Sequence, residues 1–125
     1  MMSLDVPRVP GSRRAISAMG AVLAAASVAL SAYAAHAAQG VAQSNLQTAA
    51  IMAFGHGIAL AALAHLLRGW LGLSALLAVL LGCLAFCGAL VSKYVYGVSL
   101  GIAPFGGSLM ILGWLLCAVV LAIRR

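Results

Sequence analysis

The chain is almost without acid: among its 125 residues the only carboxylate side chain is Asp5, and Asp, Glu, Lys and Arg together make up 6%. A soluble domain carries about 25% charged residues, so this inventory cannot furnish a water-facing surface. The same scarcity removes the usual means of general acid–base catalysis, which needs groups whose protonation can be tuned. Asp5 lies in the amino-terminal tail, and no set of nucleophile, base and orienting group can be assembled. The chain is therefore read as a non-enzyme. Cysteine is sparse as well. Cys83 and Cys87 share one helix face and Cys117 is alone, with no Cys-X-X-Cys or zinc-ligand spacing, so all three read as small packing residues and no structural disulfide is expected.

What is present is apolar: 66% of the residues are hydrophobic, enough for one domain whose solvent is lipid. The net charge of +6 would suit nucleic acid only if the basic residues shared a solvated face. Instead they flank apolar runs, which marks topology and excludes a nucleic-acid partner. A helix needs about 20 apolar residues to cross about 30 Å of hydrocarbon. Four runs qualify, at about 15–36, 49–67, 70–91 and 104–123, after a basic tail at 1–14, and residues 15–125 form one transmembrane domain.

Orientation follows from the flanks. Arg8, Arg13, Arg14, Arg68, Arg124 and Arg125 fall on one side and Lys93 on the other, which places both termini and the Arg68-Gly69 turn in the cytoplasm and loops 37–48 and 92–103 outside. The first run has a rival reading, because Arg13, Arg14, an apolar stretch and Ala35-His36-Ala37 resemble a secretory signal with a small-residue cleavage site. Its length of about 20 residues exceeds the about 7 to 15 of a signal core, so it is kept as a span. The expected fold is an all-α, integral membrane four-helix antiparallel bundle with cytoplasmic N and C termini.

Small residues recur at helical spacing: Gly20, Ala24, Ser27, Ser31 and Ala35 in the first run, Ala49, Ala53, Gly57 and Ala61 in the second, then Ala78 with Gly82 and Gly113 with Cys117. Such stripes let backbones approach closely and predict tight packing of the first two helices. Leu76, Leu77, Leu80 and Leu81 are expected to meet lipid. Trp70, Tyr33, Tyr94 and Tyr96 fall where interfacial anchors belong. Trp114 falls halfway along the fourth run, where its indole N–H needs an acceptor.

The segments AYAAHA around His36, QTAAIMAFGH ending at His56, FCGAL from Phe86 to Leu90, and APFGGSLMILGW from Ala103 to Trp114 carry a resemblance. In order and spacing they resemble the YgdD-like family of small bacterial inner-membrane proteins, a domain of unknown function, over nearly the whole chain after residue 14. The resemblance implies a four-helix fold in the bacterial cytoplasmic membrane and brings no reaction. It directs attention to His36, Thr48 and His56, and to Pro104, Gly106 and Gly107. The chain departs from the family pattern at Ala53 and Gly55, where polar or aromatic residues usually precede the histidine.

His36 at the end of the first run and His56 early in the second fall in the outer half of an antiparallel pair, where they and Thr48 can be neighbours. His65, on the opposite face of the second helix, is directed to the inner interface. An intramembrane histidine is costly to ionise but, when neutral, serves as an interhelical hydrogen-bonding group, and two histidines without a carboxylate make a poor metal site. Pro104, Gly106 and Gly107 read as a helix start against which a loop packs, the alternative being an anion held on backbone N–H groups. Exchange transport of the kind run by small multidrug exporters needs a membrane carboxylate that is absent here, and no polar stripe lines a pore. The leading expectation is a structural or accessory membrane protein that associates with lipid and with itself or a larger complex, without cofactor or metal. A small-molecule or proton transporter using the histidines comes second, and haem or metal binding third.

Overall fold

The computed structural model describes residues 8–123. Arg124 and Arg125, two of the basic residues counted for orientation, lie outside that range. The described chain is all-helical: α1 (Gly11–Ala37), α2 (Gly40–Leu63), α3 (Gly69–Tyr96) and α4 (Ala103–Ile123) form a four-helix bundle, and each helix is long and apolar enough to span a membrane. The exterior is correspondingly apolar, with Val22, Ile51, Phe105 and Leu112 among the large side chains left uncovered.

The bundle consists of two hairpins. α1 lies along α2 and α3 lies along α4, while α2 joins the halves by packing on α3 and α1 touches α3 over a short stretch. Partner numbers on α2 fall as those on α1 rise. Arg13 reaches the Ala64 carbonyl at 3.4 Å, Ser17 donates to the Ala61 carbonyl at 2.8 Å, Gly20 lies against Gly57, and Ser31 donates to Gln47 Oε1 at 3.2 Å. The pair is thus antiparallel and in register along its whole length. The stripes of small residues set the spacing. A Cβ placed on Gly20 would lie 2.5 Å from the Gly57 carbonyl oxygen, and one on Gly57 would lie 2.6 Å from that of Gly20. The second hairpin repeats the arrangement at Gly82 and Gly106, where an added Cβ would come within 2.8 and 2.7 Å of the other residue's carbonyl oxygen. Backbones this close gain dispersion over many atoms. They also place Gly20, Gly57, Gly82 and Gly106 inside the monomer.

Three expectations are corrected. The second helix starts at Gly40, not near residue 49, and the supposed outer loop at 37–48 shrinks to residues 38 and 39. The intervening residues are too polar to register as a span, yet they are helical because their polar groups are satisfied locally. Asn45 donates to the Val41 carbonyl at 2.9 Å, Thr48 donates to that of Ser44 at 3.1 Å, and Leu46 is fully buried. Gly40, at φ 61°, makes the abrupt reversal from α1 possible. Similarly, α3 continues to Tyr96, so the 92–103 loop reduces to 97–102, and the α2–α3 reversal occupies residues 64–68 and is not confined to Arg68-Gly69. The third correction concerns the leucines: Leu76 and Leu80 are buried against the other helices, and only Leu77 and Leu81 face outward.

Arg13 does more than mark a flank. Its guanidinium donates to the carbonyls of Leu67 and Gly69, the latter at 2.9 Å, as well as approaching that of Ala64. The Ala64 and Leu67 oxygens lie just beyond the C-terminus of α2, where carbonyls lack helical partners and the helix dipole is negative, and Gly69 is the first residue of α3. Arg13→Gln is expected to lower the unfolding free energy by about 1–2 kcal/mol, measured by reversible denaturant unfolding in mixed micelles, whereas exposed Arg14→Gln is expected to change it by less than about 0.5 kcal/mol.

Candidate functional site

Besides the polar contacts along the α1–α2 seam, one interior polar pair bridges α2 and α4. His56 is half-buried on α2. Its Nδ1–H donates to the carbonyl of Met52, one turn earlier, at 2.8 Å, and its Nε2 accepts from the indole N–H of Trp114 on α4 at 3.0 Å. A carbonyl can only accept and an indole can only donate, so the pair of bonds fixes the neutral imidazole with its proton on Nδ1. The rings are tilted by 55° with centroids 5.8 Å apart, a geometry that adds an aromatic contact. The α2 and α4 backbones do not approach one another, and this side-chain pair bridges the gap between them.

From α3, Cys87 donates to the Ala49 carbonyl at 3.3 Å, while Cys83 lies 3.9 Å from both Cys87 Sγ and the Met52 carbonyl. Both thiols are buried, as is Cys117. They act as small packing groups that also use α2 carbonyls as acceptors.

The structure does not bring His36, Thr48 and His56 together, contrary to the expected neighbourhood. Because α2 begins at Gly40, His56 stands about 24 Å along the axis from the α1–α2 reversal. His36 is exposed at that reversal, and Thr48 is exposed and bonded to its own helix. His65 lies in the α2–α3 reversal and is exposed. At the start of α4, exposed Pro104 accepts from Ser108 Oγ at 2.9 Å. Gly106 gives its N–H to the Ile102 carbonyl at 2.9 Å and is pressed against the backbone of α3, and Gly107 lies beside Phe86. Those glycines therefore serve helix packing, with the Gly106 N–H already taken.

The partner of His56 is the residue that sequence reasoning left unpaired. Trp114 was expected to need an acceptor, and His56 supplies it. The available signal was depth, since His56 lies seven residues before the end of α2 and Trp114 nine before the end of α4, and both helices terminate at the same end of the bundle. Chemically the pair is closed. A metal or haem iron at Nε2 would have to displace the Trp114 N–H, and among the described residues no group of three or more His, Cys, Asp or Glu side chains is placed to hold a metal ion.

Among protein-family models, curated proteins and solved structures, none matches this chain.

Proposed function

We propose that the chain is a small multi-pass protein of the bacterial cytoplasmic membrane with a structural or accessory role. The observation that carries this reading is the complete commitment of its interior polar groups: among the described residues no buried side-chain nitrogen or oxygen lacks a hydrogen-bond partner. A substrate path or cofactor pocket needs donors and acceptors held in reserve. Here His56, Ser17, Ser31 and Gln47 spend theirs on neighbouring helices or their own. The grooves along the helices are walled by apolar groups, such as Val28, Ile51 and Phe54 between α1 and α2, and Leu30, Leu84 and Val91 between α1 and α3.

The cytoplasmic placement of both termini is supported by Arg8, Arg13, Arg14 and Arg68 at one end of the bundle and Lys93 at the other. Membership of the YgdD-like family, proposed on the four ordered segments, agrees with that compartment. With the Gly faces consumed internally, association with a second copy or a larger complex would use the uncovered sides of α1 and α4, where Val22, Val28, Leu112 and Leu115 are exposed. No catalytic step is assigned.

The test joins topology to transport. Reporter fusions after Gln39 and after Arg125 are expected to report periplasm and cytoplasm respectively, with the intact mass of the extracted protein that of the full chain. Proteoliposomes holding a pH gradient are expected to lose it no faster than empty vesicles. A cytoplasmic Gln39 would refute the orientation. A proton leak that His56→Gln abolishes would replace the structural reading with a transporter, and a haem absorption band or stoichiometric metal would replace it with a cofactor protein.

A further inference from the structure

The end of the bundle where α1 and α3 begin carries a cleft of about 420 Å³. Arg8 and Arg13 enter it from the start of α1, and His65 and Arg68 enter it from the α2–α3 reversal. Pro10 and Gly69, the residues on which α1 and α3 open, complete the wall. The charge here is one-sided, because the described residues contain no carboxylate side chain to offset three guanidinium groups. Arg13 is occupied by the carbonyls of Leu67 and Gly69, whereas Arg8 and Arg68 are exposed. Both helix starts lack a side-chain cap, so first-turn N–H groups at the positive ends of two helix dipoles adjoin the same cleft. Among the described residues no anionic side chain offsets these like charges, which repel one another, and an anion relieves that repulsion.

We propose that this cleft binds the phosphate of an anionic phospholipid headgroup, an inference that rests on the membrane reading above. Guanidinium groups match phosphate oxygens in pairs, and the cleft offers two of them, at Arg8 and Arg68, from separate elements. His65 presents a ring N–H or an acceptor to the headgroup alcohol. The surroundings favour a lipid over free phosphate. Leu66 and Trp70, immediately beside His65 and Gly69 in sequence, are large and exposed, Trp70 to 76%. Below them the outer surface of the bundle is apolar, so acyl chains attached to a phosphate held in the cleft have a wall to lie against, with the indole at headgroup depth.

Native mass spectrometry of the detergent-solubilised full chain, offered equal parts phosphatidylglycerol and phosphatidylcholine, tests this. The wild type is expected to retain phosphatidylglycerol preferentially. The double variant Arg8→Gln/Arg68→Gln is expected to lose roughly 25-fold in apparent affinity for it and none for phosphatidylcholine, and Arg68→Gln alone about fivefold. Arg8→Lys/Arg68→Lys is expected to keep most of the preference. The single variant carries the test if the double one does not fold, because Arg68 is exposed and caps nothing through its side chain. Equal retention of the two lipids by the wild type, or an unchanged preference in the Gln variants, overturns the proposal. Displacement of the lipid by millimolar inorganic phosphate overturns the lipid assignment in favour of a free anion. Failure of the membrane reading itself shows separately, as a chain that stays monodisperse in water without detergent.

Discussion

Gly57→Leu is expected to separate α1 from α2 and to lower the unfolding free energy by about 3 kcal/mol or more, at the upper end of what overpacking costs. The reason is the identity of the atoms in the way. A Cβ at residue 57 would lie 2.6 Å from the Gly20 carbonyl oxygen and 2.9 Å from the Ala24 nitrogen. Both belong to backbone, so no rotamer change removes the clash and the helices must move apart. Moving apart has further consequences, because the hydrogen bonds from Ser17 to Ala61 and from Ser31 to Gln47 span the same seam. The internal control is two residues away. Gly55 lies on the same helix with nothing within 4 Å of an added Cβ, so Gly55→Leu is expected to change stability by less than about 0.5 kcal/mol. Denaturant titration in mixed micelles, followed by far-ultraviolet circular dichroism, reads both variants. Equal stability of the two would show that α1 and α2 are not in contact at Gly20 and Gly57.

The hairpin seams were legible before the structure because close packing leaves a compositional trace. Gly20, Ser27, Ala53, Gly57, Gly82 and Gly113 all fall on buried faces, as their helical spacing implies. Ala35 was assigned to the stripe although its neighbour Ala34 is the buried residue, since a run of alanines gives no asymmetry from which to choose a face. The same degeneracy misassigned Leu76 and Leu80. In a helix that is apolar all round there is no polar side to set the outward direction. The polar turn after Gly40 hid the start of α2 for the opposite reason: a hydropathy window registers Gln43, Ser44, Asn45, Gln47 and Thr48 as loop, although a helix can satisfy such groups through its own carbonyls. This error then propagated to the site. Starting α2 near residue 49 brought His56 close to His36, and starting it at Gly40 carries His56 down toward Trp114. That pairing depends on how one hairpin lies against the other, which no local pattern encodes.

Trp114→Ala is expected to cost about 3 kcal/mol, at the lower end for a large aromatic because the side chain is half-buried. The loss combines two contributions that a double-mutant cycle separates. Trp114→Phe keeps the ring and removes only the donor, leaving His56 Nε2 without its partner, and is expected to cost about 1 kcal/mol. His56→Ala leaves the indole N–H without its acceptor in apolar surroundings and is expected to cost about 2 kcal/mol. If the 3.0 Å contact is a hydrogen bond, the double variant His56→Ala/Trp114→Phe will be more stable than the sum of the two losses predicts, by about 1 kcal/mol, within the range found for interhelical bonds in membranes. A spectroscopic readout distinguishes this from a general loosening of the bundle. In a Trp70→Phe background Trp114 is the remaining tryptophan, and His56→Ala should shift its emission to shorter wavelength as the indole loses its acceptor. Gly55→Leu in that background, at a position where an added Cβ meets no other element within 4 Å, should leave the emission in place. A coupling of zero with an unmoved spectrum would mean that α2 and α4 are not joined through these two side chains, and the commitment of His56 that supports a structural role would fall with it.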